Sequence, residues 1–517
     1  MPEIPFRRRV IVLLLALASF LVILLYPLPE GMNPESKRLL AVIALMAILW
    51  IGEGIAIAST ALLPLALFPL LGIMSSKDVA VNYGNHLIFL FLGGFMIALA
   101  MEKWNFHKRL ALWIICRMGT SPQRIVLGFM AACGFLSMWI SNTAATMMML
   151  PVAMGVVRQF AEQSSIAGRK DDETESKIYE GFGLVLMLGL AYSASIGGVG
   201  TLIGTPPNIV FAGLYKELYP ELGGVSFFRW SLFAIPLVLV FLPLVWLYLC
   251  RFVAPFPLGQ IEMSAKGNDV VQEQLRAMGA MSDAEKKVAV VFASTAFLWI
   301  FRKPISIGDW VIPGWSQLFS NPSWIHDSTV AMASGLLLLL LPVSGRAGME
   351  LEGRREYFVL DWKTVERRVP WGVLILFGGG FALASGFGKT GLDHWLGESL
   401  SGVGVLPLAI TVLLICLSIT FLTELTSNTA TSTMILPLVA AAAVAAQIHP
   451  LMFMAPAALS ASFAFMLPVA TPPNAIVFGS GWVKIPQMSK AGFALNLTGA
   501  FLITFLTLVL VERILIH

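Results

Sequence analysis

The chain has 517 residues, 57% of them hydrophobic and 12% charged, and its mean hydropathy is +0.81. Soluble domains carry about 25% charged residues, so this composition excludes a water-soluble globular domain and requires a polytopic membrane protein. The formal net charge of +4 is small for this length and sits mostly between apolar runs, which marks membrane topology and not affinity for nucleic acid.

At the amino terminus, Arg7-Arg8-Arg9 precede a long apolar run that no small-residue cleavage site follows, so the run reads as a first span and not as a signal peptide. Spans are predicted at roughly 10–27, 38–52 and 56–73, then at 87–101 with an amphipathic continuation to about 118. Residues 123–160 place Ser141-Asn142-Thr143 between two apolar arms of about 16 residues, each about 24 Å long. A crossing needs about 20 residues, so the arms read as two short helices that meet at a polar tip and return to the same side. The charged stretch Gly168–Lys177 reads as a solvated loop. Residues 181–215 are interrupted by Ser195–Asn208, whose glycines and prolines predict two half-helices around an unwound middle. Spans follow at about 231–252, 287–302, 328–343 and 371–388, then a second hairpin at 405–446, a second broken helix at 452–482 and a last span at about 490–512. The fold class is all-α, with about eleven transmembrane helices and two re-entrant helical hairpins.

The hairpins and broken helices are copies. Phe135-Leu-Ser-Met-Trp-Ile-Ser-Asn-Thr-Ala144, closed by Pro151, returns as Phe421-Leu-Thr-Glu-Leu-Thr-Ser-Asn-Thr-Ala430, closed by Pro437. Gly204-Thr-Pro-Pro-Asn208 returns as Ala470-Thr-Pro-Pro-Asn474, and Phe91–Ala100 matches Phe377–Gly386 in the register of the hairpins. Arg251, Lys266, Arg276, Lys286 and Lys287 after one span, and Arg346, Arg354, Arg355, Lys363, Arg367 and Arg368 before another, place both loops inside with the amino terminus. About five crossings, an odd number, then separate the two copies, so the second is inverted relative to the first. Residues 1–80 and 226–345 read as scaffold helices, and 81–225 and 371–517 as the two halves of a moving domain. Paired discontinuous helices in inverted halves point to a midplane binding site in a secondary transporter.

The residue types say what such a site holds. Unwound backbone is tolerated in a bilayer only where protein or a lined cavity supplies its partners. Free carbonyls with Ser, Thr and Asn oxygens make a neutral cage for a hard cation such as Na⁺, while half-helix N-termini offer N–H groups to an anion. An asparagine amide serves both, its oxygen to the cation and its nitrogen to the anion. Neither Arg nor Lys occurs in the Ser-Asn-Thr cores or the Thr-Pro-Pro-Asn stretches, so a bound anion needs cations to offset its charge.

Taken together, the twin Ser-Asn-Thr motifs, the Thr-Pro-Pro-Asn phrases and the Phe-Leu-Gly-Gly-Phe stretch resemble the divalent anion/sodium symporter family over nearly the whole chain, closest in look to its bacterial sodium-coupled dicarboxylate symporters. The resemblance implies a homodimer in the cell inner membrane, amino terminus cytoplasmic and carboxyl terminus outside, that carries succinate, malate or fumarate with Na⁺ by an elevator movement. It implies a substrate site at Ser141, Asn142, Thr143, Ser427, Asn428 and Thr429, flanked by Thr205, Pro206, Thr471 and Pro472. It further implies one sodium site at Ser137, Ser141, Asn142 and Gly198 and a second at Thr423, Thr426, Asn428 and Ala470. Ile140 and Thr426 are equivalent but differ, so position 426 is assigned through its backbone carbonyl. The full motif in both copies favours a dicarboxylate over sulfate.

Other readings compete. Ser-Asn-Thr could be a helix cap, but a cap need not repeat in register with its surroundings. Thr-Pro-Pro-Asn could be a plain loop between spans. Glu424 could carry a proton; the first copy has Met138 there, which favours a structural hydrogen bond. Glu53, His107 and His394 read as interfacial, and Gly386–Thr390 lacks the earlier glycine of a phosphate-binding loop. Asn496 heads a glycosylation sequon in form, inaccessible in the last span, and Cys116, Cys133, Cys250 and Cys416 are too isolated for disulfides or metal. A membrane-embedded enzyme would need a nucleophile with its base or a metal cluster, and the sequence offers neither pattern. A dicarboxylate exchanger without sodium coupling and a channel are the alternatives within transport; inverted half-helices disfavour the channel.

Overall fold

The computed structural model describes residues 6–119, 121–166, 172–254, 269–307, 310–343, 349–351, 354–399 and 406–516. Among them, seven helices are long and apolar enough to cross a membrane, accompanied by four shorter apolar helices. Pro34–Gly52 and Asp283–Ile300, also read as spans, carry charged first turns at Glu35, Lys37 and Arg38 and at Asp283, Glu285, Lys286 and Lys287.

Helix starts follow local chemistry. Asn33, Ser75, Ser121, Ser226, Ser282 and Asp361 each accept a backbone N–H of the turn they cap. The span read over 87–101 and its continuation are two helices, His86–Lys103 and Phe106–Met118, because Asn105 takes φ 57 between them; asparagine tolerates that left-handed turn. The span read at 56–73 is likewise split into Ile57–Thr60 and Leu63–Leu70, with Pro64 in the first turn of the second piece. Of the loop read at Gly168–Lys177, residues 168–171 lie outside the described residues, and residues 172–177 are helical. Short elements escaped the hydropathy reading, including Ser76–Tyr83, the antiparallel pair Ile305–Ile307 with Trp310–Ile312 and the pair Met349–Leu351 with Arg354–Glu356.

The repeat is visible in the packing. His86–Lys103 runs along Asp327–Leu340, and its equivalent Trp371–Thr390 runs along Ile57–Leu70 and Ser76–Tyr83. Equivalent glycines make both contacts: a Cβ on Gly93 would stand 2.5 Å from the Ala331 carbonyl oxygen, and one on Gly379 would stand 2.5 Å from that of Ala61. Phe91 and Phe377, equivalent in the repeat, meet edge to face with ring centroids 5.0 Å apart. Two copies of one position can touch only near the axis that relates them, so the pseudo-two-fold passes between these rings.

Candidate functional site

The first hairpin is Pro122–Ser137 and Asn142–Ile166, joined by Met138–Ser141. The first broken helix is Asp172–Gly198 and Pro206–Leu218, unwound between them. Their close approach is a glycine contact, since a Cβ on Gly197 would run into the backbone of Gly134. It brings the tip against the break. Ser137 Oγ donates to the Ala194 carbonyl at 2.7 Å and also touches Asn142 Oδ1. The Asn142 amide lies 3.3 Å from the carbonyls of Ala194 and Gly204 and rests on Gly198, where a Cβ would be 2.5 Å from Oδ1. An amide oxygen thus faces a hydroxyl and two carbonyls. Such a cluster of oxygens has two uses: the amide turns and donates its NH₂ to them, or a hard cation sits among them with the amide offering Oδ1.

The second hairpin, Leu408–Thr423 and Asn428–Ala445, repeats the arrangement against the second broken helix, Leu451–Ser460 and Pro472–Gly479. Thr423 Oγ1 lies 2.7 Å from Asn428 Oδ1 and 3.0 Å from the Ala461 carbonyl, with one hydrogen to donate between them. Hydroxyl, amide oxygen and break carbonyl therefore recur in both halves.

The remaining sequence candidates are placed as follows. Ser141 is exposed and its Oγ caps the return arm by accepting Ala144 N–H at 3.2 Å, so the capping reading describes part of its role. Thr143, Ser427 and Asn428 are half-buried at the tips, and Thr429 is buried. The Thr426 hydroxyl turns back into its own hairpin, donating to Leu422 O at 2.9 Å and meeting Thr431 Oγ1 at 2.6 Å. It faces its own hairpin, which fits the assignment of position 426 through its backbone. Pro206 and Pro472 open the second half of each broken helix, as proline at a first turn does. Thr471 accepts Asn474 N–H at 3.3 Å, whereas Thr205 meets Ser462 Oγ at 3.5 Å across the repeat. The Gly198 carbonyl lies 3.4 Å from Asn208 Nδ2, which also donates to the carbonyls of Val199 and Thr201. Asn474 does the same for Ala464 and Leu467. These paired amides satisfy the unwound carbonyls that would otherwise be stranded. Ala470 is buried at the end of the second break.

The halves interlock. Pro206–Leu218 packs on Asn428–Ala445, and Pro472–Gly479 packs on Asn142–Ile166. Each return arm thus lies on the broken helix of the other half, and the Thr205–Ser462 contact joins the two breaks. Sequence reasoning missed the carbonyls of Ala194, Gly204 and Ala461, which carry no residue signature, and Trp230, whose Nε1 donates to Val199 O at 3.0 Å. It also left Glu424 and Asn496 apart, although they are hydrogen-bonded at 2.7 Å.

The family model for the sodium:sulfate symporter transmembrane region matches residues 7–516. Two similar relatives are both named sodium-dependent dicarboxylate transporter SdcS. The one from Staphylococcus saprophyticus is 42% identical over 504 residues, 97% of this chain and 91% of its own length. The one from Staphylococcus aureus (strain NCTC 8325 / PS 47) is 42% identical over 492 residues, 95% of this chain and 89% of its own length. Among solved structures, the YdaH transporter of Alcanivorax borkumensis aligns with TM-score 0.51 at 14% identity, over 96% of each chain. MtrF of Neisseria gonorrhoeae, described as an antimetabolite efflux pump, aligns with TM-score 0.52 at 13% identity, over 98% of this chain and 95% of its own. At these identities the two structures speak for the fold alone.

Proposed function

The chain belongs to the sodium:sulfate symporter family, and from that premise we propose that it is a secondary transporter that carries a C4-dicarboxylate such as succinate, malate or fumarate across the membrane together with Na⁺. Relatives of nearly full coverage bear the name sodium-dependent dicarboxylate transporter. The observation that supports the ion coupling is the repeated cluster of Ser137, Asn142, Ala194 and Gly204 in one half and Thr423, Asn428 and Ala461 in the other. Oxygen donors without a fixed positive charge suit a cation the size of Na⁺.

In this reading the first sodium is held by Ser137, Ser141, Asn142 and the Gly198 region, and the second by Thr423, Asn428 and the backbone of Thr426 and Ala470. Ser141, Asn142, Thr143, Ser427, Asn428 and Thr429, with Thr205, Pro206, Thr471 and Pro472 beside them, receive the two carboxylates at the half-helix N-termini. Sodium binds first and orders the tips, which offsets the substrate's charge before it enters. The loaded hairpins and broken helices then cross as a body against the scaffold, in a homodimer of the inner membrane with the amino terminus cytoplasmic and the carboxyl terminus outside. In this reading the helix Phe227–Tyr248, placed by the sequence with the scaffold at 226–345, travels with them, supported by its packing on Pro122–Ser137, Asp172–Gly198 and Ile485–Leu506.

The test is uptake of labelled succinate into proteoliposomes under an inward Na⁺ gradient, with an equal K⁺ gradient as control and the vesicles empty or preloaded with succinate. Uptake into empty vesicles that requires Na⁺ is expected, and Asn142→Ala and Asn428→Ala should each abolish it. Uptake only into preloaded vesicles, indifferent to Na⁺, would identify an exchanger instead.

A further inference from the structure

Position 424 is one of three neighbouring positions, 424–426, at which the inverted halves differ between matching flanks, and the one of the three that carries a charged side chain. In the first tip the equivalent residue is Met138, whose carbonyl accepts the Thr201 hydroxyl at 2.5 Å. In the second it is Glu424, only 3% exposed. Its Oε1 accepts the N–H groups of Phe465 at 2.7 Å and Met466 at 2.9 Å and the side-chain amide of Asn496 at 2.7 Å, while Oε2 accepts Leu467 N–H at 3.1 Å. All four partners are donors. A carboxylate accepts from all four, whereas the hydroxyl hydrogen of a carboxylic acid would find no acceptor among them.

Residues 465–467 lie in the unwound middle of the second broken helix, between Ser460 and Pro472, where backbone N–H groups have no helical partners. The same middle supplies the Ala461 carbonyl that takes the Thr423 hydroxyl. Glu424 follows Thr423 directly, so one carboxylate ties the break to the tip beside the Thr423–Asn428 pair. Asn496, on the last long helix, braces it from a third element.

We propose that Glu424 is the positioning residue of the second cation site and that its buried charge makes the two sodium sites unequal, the second binding more tightly and filling first. This rests on the reading of the two tips as sodium cages. Three backbone donors fix the shape of the cage wall, and an unshared negative charge in a low-dielectric surrounding favours a cation nearby. The first tip, with Met138, has neither device.

The test is a sodium-concentration series of succinate uptake by reconstituted Glu424→Gln and Asn496→Ala proteins, with the sodium-induced rise in melting temperature as a readout that needs no transport. In Glu424→Gln the amide nitrogen must face a backbone N–H, and the half-saturating Na⁺ concentration should rise roughly tenfold, with the KM for succinate at saturating Na⁺ unchanged within about twofold. Asn496→Ala should shift the series in the same direction by roughly threefold, and decides the matter alone if Glu424→Gln does not fold. A purely structural role would lower the melting temperature and leave the sodium series in place. Wild-type sodium series in both variants, while Asn428→Ala loses part of the sodium-induced stabilisation, would overturn the role of Glu424 and leave the cages standing. Full sodium-induced stabilisation in both Asn142→Ala and Asn428→Ala would instead overturn the cages themselves.

Discussion

A methyl group on Gly198 tests the first cage without replacing any proposed ligand side chain. The added Cβ would lie 2.5 Å from Asn142 Oδ1 and 3.1 Å from Nδ2, where ordinary contact begins near 3.4 Å. Gly198 ends its helix and has no left-handed φ, so alanine fits the backbone and the strain falls on the amide. The amide must retreat by roughly 1 Å, which forfeits much of a contact and separates Oδ1 from the Ser137 hydroxyl. Overpacking of this kind costs about 1–3 kcal/mol. Charged to a bound cation at 1.4 kcal/mol per tenfold, it raises the half-saturating Na⁺ concentration roughly tenfold to a hundredfold. The assay is the sodium dependence of succinate uptake in proteoliposomes, with a thermal melt to confirm folding. Gly388→Ala is the control, since its Cβ meets nothing within 4 Å on an exposed helical position. A sodium series for Gly198→Ala that superimposes on the wild type would refute the placement of the Asn142 amide as a cation ligand.

Two further predictions concern stability. Gly93→Ala and Gly379→Ala each drive a Cβ to 2.5 Å from a backbone carbonyl oxygen, which cannot step aside as a side chain can, so each should cost about 2 kcal/mol or more. Differential scanning fluorimetry should show similar losses for both, and an unchanged melting temperature in either would mean the helices are not in contact there. His107, buried in Phe106–Met118, is lowered from 6.5 to about 4, chiefly by burial; its Nδ1 contact with the Met101 carbonyl opposes this, and Lys108 and Arg368 add to it. Because the folded value lies below the unfolded one, stability is undiminished above about pH 6.5 and falls as pH drops from 6.5 toward 4, by up to about 3 kcal/mol. The melting temperature should decline across that window in the wild type and decline less in His107→Gln; parallel curves would remove His107 as the cause.

The sequence alone determined the membrane setting, the two hairpins, the two broken helices and their inversion. Each rests on a one-dimensional signal: run length against bilayer thickness, glycine and proline inside apolar stretches, and a polar motif that returns with its neighbours. The chemical class of the site was legible for the same reason, because Ser, Asn and Thr carry their oxygens in the side chain. Where side chains do not decide, the sequence was silent. The carbonyls of Ala194, Gly204 and Ala461 became ligand candidates only when glycine contacts such as Gly134 with Gly197 brought a break against a tip. The Thr426 hydroxyl, chemically fit for a cage, is spent on Leu422 and Thr431 inside its own hairpin. Only the tertiary structure decided that each return arm packs on the other half's broken helix, and that Glu424 meets residues 465–467 and Asn496. Such contacts join positions far apart in the chain, and their energy depends on a carbonyl or N–H left unpaired by a break, a property of backbone geometry that residue identity does not record.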